Sequence, residues 1–127
     1  MNREDVYKDI KQYLGLVPEF LTRVPDRTLE LEWTLMRATQ MEPGAIPNKY
    51  RELIGLGIAA STKCQYCTAF HTEFAKASGA TDAEIEEAVH YAKATAGWSA
   101  YVNGLQLNLE QFKREVKEIG AYIRSHK

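Results

Sequence analysis

Two cysteines, Cys64 and Cys67, flank Gln65-Tyr66, and His71 follows four positions after the second; no other cysteine occurs in the chain. Paired thiols with a base beside them point to redox chemistry, because the thiolate is the form that attacks peroxides and disulfides. If residues 64 to 74 are helical, the 3.6-residue period sets Cys64, Cys67 and His71 on one narrow face, with neighbouring Cβ atoms about 5–6 Å apart. At that spacing the two sulfurs can close a disulfide without large backbone movement. Three features favour a thiolate there. The first turn of a helix offers unsatisfied N–H groups and the positive end of the macrodipole. His71 lies one turn beyond Cys67, in reach to take its proton as general base. Glu52 leads into the apolar run Leu53 to Ala60, a place where a charge needs a partner, and it can orient the imidazole if the preceding helix folds back alongside. Together these residues make a Glu52–His71–Cys67 relay with Cys64 as partner thiol.

Other chemistries fit less well. Cys64, Cys67, His71 and Glu52 are all plausible zinc ligands, but three of them come from two turns of one helix, whereas structural zinc sites usually clip separated segments together. No metal or cofactor is therefore expected. A thioredoxin-like reading fails because no strand precedes the cysteine pair. No glycine run after a strand is present to bind a nucleotide, so nicotinamide electrons would have to arrive through another protein. Tyr66 reads as a packing residue, and Trp33, Trp98 and Tyr101 as core or subunit-interface aromatics. His90 and His126 have no readable partners.

The bulk composition narrows the field. With 127 residues, 45% of them hydrophobic, and a formal net charge of −1, the expectation is one soluble domain over residues 1–127 with its own core. Sixteen lysines and arginines against 17 acids give no basic excess for nucleic acid. Met1-Asn2-Arg3-Glu4-Asp5 is unlike a secretory signal, and Leu53 to Ala60 is far short of a membrane span. Two cysteines in such a chain fit a reducing cytoplasm.

Every long periodic segment reads as helix and none as an alternating strand, which predicts an all-α bundle of about six helices. The first spans roughly Arg3 to Leu14 and stops at Gly15. A short element occupies Pro18 to Arg23. Thr28 to Gln40 repeats Leu31, Leu35, Met36 and Ala38 before Glu42-Pro43-Gly44 breaks it. Pro47 opens a helix to about Ala60. It is apolar nearly all round, and Gly55 and Gly57 suit close backbone packing, so it should be central and is a candidate for sharing with another subunit. After a Ser61-Thr62-Lys63 break, Cys64 to Ser78 forms a helix ended by Gly79. Thr81-Asp82-Ala83-Glu84 reads as a capping box, opening a helix that carries Ile85, Ala88, Val89 and Ala92 and ends near Thr95 or Ala96. A last helical region, Trp98 to Ile123, has a potential break at Asn103-Gly104.

Glu52, the eleven-residue gap, Cys64-Gln65-Tyr66-Cys67 and His71, followed by Ala75, Gly79, Thr81-Asp82 and Glu84-Ile85, resemble the alkyl hydroperoxidase D and carboxymuconolactone decarboxylase family, most specifically from Gly44 to Gly104. The resemblance implies an all-helical fold assembling as homo-trimers or homo-hexamers, with the cysteine pair opening a buried helix. It further implies that Glu52 and His71 activate Cys67 while Cys64 resolves the resulting sulfenic acid or mixed disulfide. The implied substrate is a hydroperoxide or a disulfide, and the implied redox partner is peroxiredoxin-like, thioredoxin-like or of the dihydrolipoamide type. One departure is Tyr66, where hydroperoxidase D proteins commonly carry histidine. Two alternatives stand beside this reading. One is a cofactor-free lactone decarboxylase or isomerase using His71 as acid and base. The other is a zinc-stabilised oligomeric interaction module.

Overall fold

A computed structural model describes all residues from Met1 to Lys127. Seven helices and no strand make up the chain: α1 (Arg3–Leu14), α2 (Glu19–Thr22), α3 (Asp26–Gln40), α4 (Asn48–Thr62), α5 (Gln65–Ala77), α6 (Asp82–Gly104) and α7 (Leu109–Ser125). No helix is long and apolar enough to cross a membrane.

The helix ends follow local chemistry. Asn2 caps α1 by accepting from the amide of Asp5, and Gly15 ends it at φ 81°, a left-handed conformation that costs glycine little. Pro47 stands just before α4, whose orphan N–H positions need no donor from it. Thr81 and Glu84 form the expected capping box, with the Glu84 amide donating to Thr81 Oγ1 at 3.1 Å and the Thr81 amide donating to Glu84 Oε1 at 2.9 Å.

Two layers share the burial. In the first, α1, α2 and α3 close over Val6, Ile10, Leu21, Leu29 and Trp33. The Trp33 indole donates to Asp9 Oδ2 at 2.7 Å, and Arg37 Nη1 donates to the same oxygen at 2.6 Å, so the buried indole N–H is satisfied. In the second, α4 packs against α5 and α6 and also touches α3, which makes it the central helix expected from its all-round apolarity. Arg51 at its start donates to the carbonyls of Thr39 (2.6 Å) and Glu42 (2.5 Å), and so ties the α3–α4 connection to α4.

The all-α bundle is the one expected, its seven helices close to the six the periodicity suggests. Two helix ends need correction. α6 does not stop at Thr95 or Ala96 but runs through Gly97 to Gly104. One interior glycine costs a helix only about 1 kcal/mol and no proline follows it, so nothing stops the helix there. α4 likewise continues through Ser61 and Thr62 and turns only at Lys63, which is left-handed at φ 59°. In α3, Leu31 and Leu35 of the apolar repeat are 72% and 62% exposed, while Leu29 and Trp33 on another face are the buried pair. α3 has two apolar faces, and periodicity alone does not say which one its own core takes. Only nine residues are buried in all. The core expected from length is thus thin, and much of the apolar complement remains at the surface.

Candidate functional site

The site lies at the α4–α5 junction. Lys63 ends α4, and Cys64 follows as the residue before α5 rather than inside it. Its amide donates back to Ala59 O at 3.0 Å, and its sulfur accepts from the Cys67 amide at 3.1 Å. One residue therefore closes α4 and opens α5, with sulfur in the capping role usually filled by an oxygen. Cys67 stands in the first turn of α5, and its sulfur is joined to that of Cys64 in a disulfide with a Cα–Cα separation of 5.3 Å. Cys67 is exposed and Cys64 half-buried. Tyr66 between them is 82% exposed, so it is not the packing residue the sequence suggested.

His71 and Glu52 meet across the α4–α5 interface. Glu52 is 3% exposed, the one charged group among the buried residues, and its Oε2 lies 2.7 Å from His71 Nδ1. An ionised carboxylate only accepts, so Nδ1 carries the hydrogen and the lone pair is left on Nε2. That tautomer can take a proton. The hydrogen bond also supplies the partner that a buried charge requires.

Gly55, one turn after Glu52, makes room for the imidazole. A Cβ built there would sit 2.6–2.8 Å from three atoms of the His71 ring, closer than carbon can approach. Phe70 meets the same ring edge-on at 5.2 Å between centroids and stacks on Phe74 at 4.1 Å. The sequence marked Gly55 only as a site of close packing. The side chain it accommodates shows up only once α4 and α5 are laid together.

The structure thus joins Cys64 to Cys67 and Glu52 to His71, and places Cys67 and His71 four apart on one helix. The disulfide occupies both sulfurs, and no three histidine, cysteine, aspartate or glutamate side chains converge as a metal-binding group. Trp33 is core, whereas Trp98 and Tyr101 are exposed at 66% and 59%. A depression of about 430 Å³ beside Cys64 is lined by Ala59, Lys63, Gln65 and Thr68 among others.

Known proteins carry the same arrangement of helices. The chain superimposes on the alkylhydroperoxidase AhpD core of Rhodospirillum rubrum with a TM-score of 0.76 and 26% identity, covering 86% of this chain and 84% of that one. It is 32% identical over 80 residues to an alkyl hydroperoxide reductase of Mycobacterium tuberculosis, a stretch amounting to 61% of this chain but 23% of that protein. Residues 24–108, which include the Glu52–His71 pair, both cysteines and all of α6, match the family as a whole, and the chain belongs to the carboxymuconolactone decarboxylase family.

Proposed function

We propose that the protein is a thiol-dependent oxidoreductase that reduces organic hydroperoxides through Cys67 and Cys64. The observation that carries this reading is a disulfide at the start of the helix that also bears a carboxylate-oriented imidazole. In the dithiol form His71 Nε2 takes the proton of Cys67, with Glu52 stabilising the imidazolium. The Cys67 thiolate attacks the terminal peroxide oxygen. An S–O bond forms, the O–O bond breaks, and the alkoxide leaves as alcohol with the proton returned by His71. Cys64 then attacks the sulfenic sulfur, forming the S–S bond, and hydroxide departs as water with the Cys64 proton. Two thiols supply the two electrons, and the products are a disulfide, an alcohol and water. Exchange with an external dithiol, of the thioredoxin-like or dihydrolipoamide class, restores the thiols. A disulfide on a peroxiredoxin-like protein is the other acceptor this site would serve. Such a cycle suits the cytoplasm, where thiols are kept reduced.

The exposure of Cys67 relative to Cys64 supports its role as the sulfur that meets the oxidant. The test is a titration of reduced protein with an alkyl hydroperoxide. One equivalent should consume two thiols and leave an intramolecular disulfide. Cys67→Ser should abolish turnover, and Cys64→Ser should stop at a sulfenic acid that dimedone traps. Stable sulfonic acid only, bridges only between chains, or turnover that survives loss of both cysteines would contradict the proposal; the last would indicate acid–base chemistry at His71 instead.

A further inference from the structure

We propose that the depression beside Cys64 admits the thiol that reduces the disulfide, and that Lys63 on its rim makes it select thiols carrying a negative charge. The inference rests on the cysteine cycle proposed above and adds the residue that chooses its reductant. The depression holds about 430 Å³, and of the two bridged cysteines only Cys64 lines it. Ala59, Ala60 and Ala69 give it small apolar walls, and Gln65 and Thr68 supply a polar edge. Such walls suit a short aliphatic thiol. Lys63 is the one charged residue in the lining.

Cys67 is the more exposed cysteine, yet Cys64 is the better target for a reductant. Exchange is faster when the departing sulfur belongs to the more acidic thiol. Attack on Cys64 releases Cys67, which stands four positions before His71 on α5, where the imidazole held by Glu52 stabilises the departing thiolate. The reductant, as thiolate, attacks Cys64 Sγ. Its bond to Cys64 forms as the Cys64–Cys67 bond breaks, and Cys67 takes up, by way of His71, the proton the reductant lost. A second thiol then attacks the reductant's sulfur in the mixed disulfide and frees Cys64. Two thiols become one disulfide, and the protein's bridge gains their two electrons and two protons. Oxidant and reductant thus approach different sulfurs.

Lys63 holds its place at a cost to the backbone. It is left-handed, at φ 59° and ψ 39°, a conformation that glycine takes with less strain. The turn pins it there: its own amide donates to Ala60 O at 3.3 Å, and the Cys64 amide to Ala59 O at 3.0 Å. The side chain is exposed and enters no salt bridge. A carboxylate on the incoming thiol would meet that ammonium while its sulfur meets Cys64, one residue away.

The test reduces the oxidised full-length protein with an excess of 3-mercaptopropionate, 2-mercaptoethanol or cysteamine, which are anionic, neutral and cationic. Each rate is divided by the same reagent's rate with bis(2-hydroxyethyl) disulfide, which removes differences in intrinsic reactivity. The anionic reagent should exceed the cationic one roughly tenfold at low salt, the effect of reversing one unit charge about 6 Å from another in water. In about 1 M KCl the ratio should fall toward one. Lys63→Arg should keep the preference, Lys63→Asn abolish it and Lys63→Asp invert it. Asparagine and aspartate both tolerate the left-handed backbone, and circular dichroism checks the fold. Samples quenched early in acid should carry the reductant on Cys64, with Cys67 as free thiol. Equal corrected rates for the three reagents, a preference that survives in Lys63→Asn, or adducts on Cys67 would overturn the proposal. None of these measurements uses peroxide, so a protein that shows the charge preference but consumes no hydroperoxide would overturn the peroxidase reading alone.

Discussion

The His71 imidazole is held by three neighbours: Glu52 takes Nδ1–H, Phe70 meets the ring edge-on, and Gly55 leaves the space it occupies. Removing the base with His71→Ala should slow thiol oxidation by about 10²–10⁴-fold, and Glu52→Gln should slow it less. In both variants the alkylation rate of Cys67 should need higher pH to reach its plateau. A profile that His71→Ala leaves unmoved would mean the helix N-terminus alone activates the thiol. Gly55→Ala is the more discriminating change. Helix propensity alone favours alanine by about 1 kcal/mol, yet the added methyl must push the ring off Glu52. Displacing a catalytic group by about 1 Å can cost on the order of 10²-fold, so Gly55→Ala should keep its helicity while its oxidation rate drops and its pH profile follows that of Glu52→Gln. Wild-type kinetics in Gly55→Ala would show that the imidazole finds its geometry without that space. Glu52, Cys64, Cys67 and His71 were legible as a set because their residue types and spacing carry chemistry on their own. Gly55 was not, because its function depends on a side chain 16 positions away.

Helix boundaries set the orientation of the site, and the start of α6 is the best defined. Thr81→Ala should cost about 1 kcal/mol in chemical denaturation, the ordinary worth of a helix cap. Glu84 adds a pH dependence. Its carboxyl is held below the usual carboxylate range first by the Thr81 amide and then by Lys49, whose Nζ lies 3.1 Å away. The unfolded chain therefore binds the proton more readily than the folded one. The stabilisation is complete above the ordinary glutamate value near pH 4.5 and is lost as pH falls through the lowered folded value. Glu84→Gln should flatten that acid limb of the stability curve, and an unchanged limb would assign acid sensitivity elsewhere. Signals with a local mechanism, the stops at Gly15 and Gly79 and the start at Thr81, were readable in advance. The end of α6 was not readable, because a glycine such as Gly97 weakens a helix without terminating it, and the buried face of α3 was not, because Leu31 and Leu29 belong to rival apolar faces. Choosing between such faces requires knowing what else packs there.

At the scale of the whole molecule, apolar side chains are distributed unevenly between a small interior and a broad surface. Trp33 is 1% exposed and Trp98 is 66% exposed, and this contrast makes fluorescence a gauge of association. At micromolar concentration acrylamide should quench little of the emission, with Trp98 covered by a neighbouring chain. Dilution should raise the quenchable share as Trp98 emerges while Trp33 stays sheltered. A quenchable share already large and independent of concentration would mean the apolar surface faces water in the working protein. Contiguous apolar surface on this scale is otherwise rare in monomers.

Cys64 ends one helix with its amide and begins the next with its sulfur, and the hydrogen that meets that sulfur belongs to Cys67, its own redox partner. That amide meets a disulfide sulfur in the oxidised protein and the Cys64 thiol in the reduced one. The amide proton of Cys67 should therefore shift in a nuclear resonance spectrum when the bridge is reduced. A single backbone signal would then report how many electrons the protein holds, with no substrate, dye or partner in the tube.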